Sequence, residues 1–371
     1  MAKNKFLRIL AAAVAVILGI GLLVILEGHA NILLAPEPTE AALQQEPEYN
    51  ALGMRYSDAL STEILYEDDA LVCYSDRMLQ KFSYNPANAE YLAQALTGLR
   101  GNSSRIENLL VMPIPLRITL EAGWEGEAEE YREYMDLLKK TLPSGVTLVD
   151  AYPVLEQHKD EYIFFRTEIG WTARGGYYGM EALGDALGIE TIPLEQYEEY
   201  MYRDYLGSTY LLARQRSETS TELQESLDKL EYDPVYFYLL PGAANRMETL
   251  DVVDGEIQSE KRPFIASSEN GRNTFGGGSY ERSVVVGDGI DPVRKDQSVL
   301  LVADSVGKLV IPYLANYYNQ VYFVNIQEFG LLSETLDEIL AAYNIQDVIV
   351  TQSALNLGDQ SYSKALNDFV P

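Results

Sequence analysis

Tyr162-Ile163-Phe164-Phe165-Arg166-Thr167-Glu168-Ile169-Gly170-Trp171-Thr172-Ala173-Arg174-Gly175-Gly176-Tyr177-Tyr178 is the stretch from which the rest of the chain is read. Its first five residues have the β-branched and aromatic character of a buried strand. Glu168 to Gly170 reads as a turn. Thr172 is placed to cap a helix carrying Tyr177, Met180, Leu183, Ala186 and Leu187 on one side. A strand that ends in a polar turn and feeds a helix is where α/β proteins often place chemistry.

Upstream, folding is expected to begin near Ala59. Ile64 to Cys73 gives two short strand-like pieces around Glu67-Asp68-Asp69, a turn open to a solvated or a cation-touching reading. Tyr91, Leu92, Ala95, Leu96 and Leu99 recur at helical spacing within Asn88 to Arg100. Asn108 to Met112 reads as a strand closed by Pro113 and Pro115. Glu127 to Leu142 reads as an amphipathic helix stopped by Pro143, and Val146 to Asp150 as a strand. Alternating strands and helices imply parallel strands with helices packed on the sheet.

Downstream, Ile192 to Arg294 is polar and rich in tyrosine and glycine. Strands are predicted at Tyr232 to Leu240, Leu250 to Val253 and Val284 to Val286, and the segment reads as a mixed subdomain laid over the core. Gly276-Gly277-Gly278 is not a phosphate loop, since no strand leads into it and no Lys-Ser/Thr follows. Gly287 to Asp291 could hold a calcium ion, but it lacks the repeated acidic spacing and closing glutamate of an EF-hand. Ser298 to Ala303 is the clearest buried strand, and Asp304-Ser305 stands at its carboxyl end. A helix over Val306 to Tyr318, a strand over Val321 to Val324, a helix over Ser333 to Tyr343, a strand over Asp347 to Thr351 and a closing helix over Ser361 to Phe369 complete the pattern.

The 371 residues carry a net charge of −28, a surface that repels nucleic acid. Cys73 is the only cysteine and His29 and His158 the only histidines. This composition supplies no disulfide, no cysteine-based zinc site and no histidine cluster, so neither a metal nor a cofactor is expected. Lys3, Lys5 and Arg8 precede an apolar run from Ile9 to Leu26, which reads as a signal anchor keeping the N-terminus in the cytoplasm. Gly28-His29-Ala30 leaves a cleaved peptide as the alternative. The expected organisation is a cytoplasmic tip and anchor over 1–30, a proline-containing tether over 31–58 and an extracytoplasmic domain over 59–371 with an insertion at about 192–294.

Asp304-Ser305 is open to two readings. A serine opening a helix is a sensible nucleophile position, because free N–H groups and the helix dipole favour an oxyanion. Aspartate and serine are also preferred helix caps. Trp171, Tyr177 and Tyr178 suit either a core or a surface that stacks on sugar rings. Gln352 and Asn356 are donors for a sugar or for their own loop backbone.

The stretch resembles the signature of the DHHW family, extracytoplasmic bacterial proteins related to SGNH/GDSL-like esterases and alginate-type O-acetyltransferases. The family motif runs Tyr-x-x-Arg-Thr-Asp-His-His-Trp-Thr and then Gly-Ala-Tyr-Tyr. Arg166, Thr167, Trp171, Thr172, Gly175, Tyr177 and Tyr178 match it, whereas Glu168, Ile169 and Gly170 stand at the Asp-His-His core. Leu300-Leu301-Val302, Pro312-Tyr313-Leu314, Tyr317-Tyr318, Ile345 to Val348, Met112-Pro113 and His158 to Tyr162 extend the resemblance from about Ile64 to the C-terminus.

The resemblance implies a three-layer SGNH-like α/β fold with a mainly parallel sheet, and a nucleophilic ancestry for Ser305. It also implies that the base is missing, because the second histidine of the motif is Gly170 here. Glu168 replaces the orienting aspartate and is the remaining candidate base; His158 lies at the other end of the predicted strand. Asn325-Ile326-Gln327 replaces a family Asp-x-Arg. Ser305 and Glu168 are therefore the candidate catalytic residues, and Arg166, Trp171, Asp304, Gln352 and Asn356 the candidate binding residues. Three functions fit: a degenerate member binding a cell-surface glycan or envelope partner, an active esterase or O-acetyltransferase on wall polysaccharide, and a structural component of an envelope or spore-associated complex.

Overall fold

The computed structural model describes residues 60–218, 220–241, 248–253, 256–263, 282–287, 289–327, 336–358 and 360–369. The expected anchor and tether, the Gly276-Gly277-Gly278 loop and Asp288 lie outside them. No helix among the described residues is long and apolar enough to cross a membrane.

The chain opens with a three-stranded antiparallel sheet of β1 (Tyr66–Glu67), β2 (Leu71–Cys73) and β3 (Met78–Gln80). Helix α1 (Pro86–Asn102) starts where Asn85 accepts from the Ala87 N–H and a proline occupies the first turn. Strand β4 (Asn108–Ile114), α2 (Glu125–Thr141), β5 (Val146–Leu148) and the short α3 (Tyr152–Gln157) follow. Helix α4 (Ala173–Leu187) is capped by Thr172, whose hydroxyl accepts from Gly175, as its sequence position predicts. Next come β6 (Glu198–Tyr205), α5 (Ser208–Ser217), α6 (Thr221–Leu227), β7 (Asp233–Leu239), β8 (Glu248–Val253), β9 (Glu256–Pro263) and β10 (Arg282–Val286). The last part holds β11 (Ser298–Ala303), α7 (Ile311–Tyr317), β12 (Gln320–Asn325), α8 (Leu336–Ala342), β13 (Ile345–Ser353) and α9 (Ser361–Phe369).

Eight strands form the central sheet in the order β5-β4-β13-β11-β12-β10-β8-β9. The first five run parallel and the remaining pairings are antiparallel. Every residue of β11 is buried, and so is all of β13 except Gln346. Strands buried on both faces require cover on both faces. One group of helices, α1 with α2 and α9, packs together, and α4 packs with α3, α7 and β7.

Three features differ from the sequence reading. Strand β4 does not stop at Pro113. The Val111 carbonyl accepts from Val149, so Pro113, two residues on, faces that same side beyond the end of β5, where its carbonyl accepts the Tyr131 hydroxyl at 2.9 Å. No ladder donor is missed there. The insertion is not only laid over the core. Strands β6 and β7 pair with each other, but β8, β9 and β10 continue the main sheet. The segment Tyr162 to Arg166, buried as expected over its first four residues and half-buried at Arg166, is not a sheet strand. Its one ladder contact is the antiparallel bridge of Phe164 with Trp171. Apolar β-type composition registers burial, and here burial is met without pairing into the sheet.

A smaller apolar cluster of Leu71, Cys73, Met78, Ala213, Leu223 and Leu227 joins the first sheet to α5 and α6. Burial pushes the Cys73 thiol up to about 12, so it packs as an unreactive side chain.

Candidate functional site

Strand β11 ends at the carboxyl edge of the parallel sheet and delivers Asp304 and Ser305 there. Asp304 is 1% exposed, and its carboxylate takes four donors. Oδ1 accepts the N–H groups of Val306 (3.1 Å) and Gly307 (3.0 Å); Oδ2 accepts Ser353 N–H (2.8 Å) and Asn356 Nδ2 (3.0 Å). The chain after Ser305 then winds as a 3₁₀ turn over Gly307–Val310 before α7, where the sequence predicts one continuous helix. Gly307 is required: an added Cβ would strike Thr351 Oγ1 and come 2.9 Å from Ala303 Cβ. Ser305 itself is half-buried, and among the described residues its hydroxyl makes no hydrogen bond.

The motif stretch reaches this turn through Trp171. The indole is fully buried and donates Nε1–H to the Val306 carbonyl at 2.9 Å. Glycines on α4 make room for it. A Cβ on Gly179 would lie 2.5 Å from Trp171 Cη2, and one on Gly175 would lie 2.6 Å from Trp171 Cβ. Of the two readings open for Trp171, this geometry is that of a core residue that braces the Ser305 turn.

Glu168 faces elsewhere. Its buried carboxylate accepts Ser208 Oγ (2.6 Å), Ser208 N–H (2.8 Å), the Tyr205 hydroxyl (2.7 Å) and Ile169 N–H (2.8 Å). It thus serves the first turn of α5 in the insertion, and no hydrogen bond joins it to Ser305. Gly170 offers no side chain. Arg166 gives its N–H to Asp233 and its carbonyl accepts from Met78 N–H. His158 ends α3, places Nδ1 2.8 Å from Glu161 Oε1 and stacks on Tyr178 with ring centroids 3.9 Å apart. Burial pushes Glu161 up, but the Tyr178 hydroxyl, His158 and Arg174 outweigh it and hold the carboxyl below its usual range.

Asp233 is a residue that sequence reasoning missed. It is fully buried, and it accepts the N–H groups of Arg166 and Thr167, the Thr167 hydroxyl and the Tyr162 hydroxyl. Burial raises its pKa against the lowering effect of those donors. It holds the end of this segment and the start of the motif turn, at the Arg166 and Thr167 N–H groups. Nothing local marks it, since it lies 67 positions beyond Arg166.

The loop after β13 and the end of β12 complete the edge with neutral amides. Gln327 Nε2 donates to Asn356 Oδ1 at 3.1 Å, Gln352 Nε2 to the Asn356 carbonyl at 3.2 Å, and Gln327 N–H to Asn325 Oδ1 at 3.3 Å. Asn356 and Gln352 thus direct their amide donors to Asp304 and to the loop backbone. A cleft of about 170 Å³ lies apart from Ser305, lined by Arg117, Glu121, Lys159, Asp160, Ile163 and Phe164 among others; Arg117 and Glu121 are already ion-paired at 2.6 Å. Among the described residues no three His, Cys, Asp or Glu side chains are grouped to hold a metal ion. In the acidic turn, Asp68 is bound by the Tyr66 hydroxyl, Arg216 and two backbone N–H groups.

What this edge can do follows from its parts. A serine hydroxyl needs a base to attack a carbonyl, and among the described residues no base is bonded to Ser305. The two N–H groups that follow Ser305 are both committed to Asp304. The amides of Asn325, Gln327, Gln352 and Asn356 give this edge a preformed hydrogen-bonding surface.

The sequence model of the DHHW protein family matches residues 73–324. No curated protein matches the chain in sequence. Among solved structures, a DHHW family protein from Eubacterium siraeum is similar at TM-score 0.64 and 17% identity, over 80% of this chain and 93% of that one. Bacillus cereus PatB1, in a structure with a sulfonyl adduct, is similar at TM-score 0.60 and 13% identity, over 79% of this chain and 97% of that one. The O-acetyltransferase domain of Pseudomonas putida AlgJ aligns at TM-score 0.45 and 14% identity, over 80% of this chain and 98% of that one.

Proposed function

This chain belongs to the DHHW family, and from that premise we propose that it is a non-catalytic member whose Ser305 edge binds a cell-surface glycan. The observation that carries this reading is the commitment of Glu168. The acidic residue of the motif is spent on Tyr205 and Ser208, and Gly170 leaves nothing for it to orient. A hydroxyl without a base forfeits an assistance of about 10²–10⁴-fold. With Val306 and Gly307 N–H held by Asp304, neither is left to meet a developing oxyanion. An apolar run at Ile9 to Leu26 with a basic flank supports placement outside a membrane, on an anchor.

A second reading, an active esterase or O-acetyltransferase on a wall polysaccharide, is favoured by one observation: Ser305 is retained at the end of the central strand with its hydroxyl unbonded. Labelling of the full-length chain with a fluorophosphonate, with Ser305→Ala as control, separates the two. No labelling of folded protein is expected. Labelling that disappears in Ser305→Ala would establish an activated serine and sink the non-catalytic reading.

A further inference from the structure

The charge of Asp304 dictates the polarity of its neighbours. A carboxylate only accepts, so Asn356 must turn Nδ2 toward Asp304 Oδ2, 3.0 Å away. Its Oδ1 is then the acceptor that receives Gln327 Nε2 at 3.1 Å. Gln327, which is exposed, is left presenting Oε1. In the same turn Gln327 N–H occupies Asn325 Oδ1, which leaves Asn325 presenting Nδ2. Asn325 pairs in register with Ala303, two residues before Ser305, so these groups stand on the strand end beside Ser305. Among the described residues Gln327 Oε1, Asn325 Nδ2 and Ser305 Oγ all lack a partner.

We infer that this fixed set of acceptor, donor and hydroxyl recognises a neutral saccharide through adjacent hydroxyl groups, an inference that rests on the binding role proposed above. One sugar O–H donates to Gln327 Oε1, a neighbouring sugar oxygen accepts from Asn325 Nδ2, and Ser305 Oγ serves in either sense. An ester carbonyl matches the pattern poorly, because it only accepts and leaves Gln327 Oε1 unmet. Leu355, 37% exposed and next to Asn356, offers an apolar contact for the C–H face of a ring. The ligand is neutral because the Asp304 charge is already met by its four donors, and because a chain of net charge −28 repels anionic polymers.

The test is a ¹H–¹⁵N titration of the full-length chain with cellotetraose, maltotetraose and mannotetraose, following the side-chain NH₂ signals of Asn325 and Gln327. At least one sugar is expected to move both signals saturably, and its fully O-methylated derivative to move neither. Gln327→Met, at an exposed position, is expected to weaken binding about tenfold, the scale of one neutral hydrogen bond. Asp304→Asn, which releases the amide polarity, is expected to weaken it as well. Equal binding of the methylated sugar, undiminished binding by Gln327→Met, or no response to any of the three sugars overturns the inference. Chitotetraose is titrated as a fourth sugar, and a response to it without a response to the other three overturns the inference in favour of an amide-bearing ligand. Fluorophosphonate labelling of Ser305 alongside intact sugar binding would instead sink the non-catalytic role and leave the hydroxyl pattern standing.

Discussion

Thr167 gives both its N–H, at 2.7 Å, and its hydroxyl, at 2.6 Å, to Oδ2 of Asp233. The same hydroxyl accepts the Gly207 N–H at 2.9 Å. One residue on, Glu168 accepts from Ser208 and Tyr205. The motif loop and the insertion are therefore bound reciprocally, each offering a buried carboxylate to the other's donors.

Asp233→Asn should reveal the weight of this joint. An amide cannot accept from all of these donors, and buried hydrogen bonds to charged groups contribute about 1.5–3 kcal/mol each. A loss of about 2–4 kcal/mol is expected from urea denaturation, with faster hydrogen exchange at the Arg166 and Thr167 amides. Unchanged exchange there would mean that Asp233 does not hold the loop.

Trp171→Phe removes the donor to the Val306 carbonyl while keeping most of the apolar bulk. A cost of about 1–3 kcal/mol is expected for the orphaned carbonyl, together with faster exchange at Gly307 to Leu309. Loss of stability without any change at that turn would place the role of Trp171 in bulk packing alone.

Rebuilding the family motif should not restore chemistry. Gly170→His with Glu168→Asp puts the two residue types back, but the shorter carboxylate withdraws from Tyr205 and Ser208. The double variant is expected to be less stable than the parent and to hydrolyse acetyl esters no faster. A gain approaching ~10²-fold in a folded double variant would show that only the dyad had been lost.

Asp68 ties β1 and β2 to α5. Burial pushes its pKa up, but N–H groups of Ala70 and Leu71, the Tyr66 hydroxyl and Arg216 hold it from 3.8 down to about 2. A depressed carboxyl stabilises above its unfolded pKa, and that stability is lost as pH falls through the folded value. The wild-type chain is expected to lose stability between about pH 4 and 2. Asp68→Asn should flatten part of that slope in melts at pH 5, 4 and 3; an unaltered slope would assign it to other carboxyls.

Much of this was legible from local pattern. Ser298 to Ala303 is apolar enough to be the central strand wherever it pairs, and Thr172 caps the helix its position predicts. The fate of Tyr162 to Arg166 was not legible. Its composition is that of a strand, but its backbone bonds go to the motif turn, to Met78 and, at Arg166, to Asp233 from another part of the chain. Strands β8 to β10 joined the sheet through register with β12, a long-range choice that period-2 alternation does not encode. The commitment of Glu168 was hidden for the same reason: its main partners, Tyr205 and Ser208, lie 37 and 40 positions away. Residues that match a motif can be recognised from sequence, but the partners that give a carboxylate its role are chosen by folding.

The closure of the Asp304 turn on its own carboxylate has a consequence for inheritance. Val306, Gly307, Ser353 and Asn356 all depend on Asp304, and none of them depends on a base. Substitutions that erase the base leave this corner of the fold intact, so selection for folding alone suffices to preserve Asp304 across generations. The aspartate of an Asp-Ser pair in a relative of this chain is then a mark of the turn, and no record of whether that relative turns over an ester.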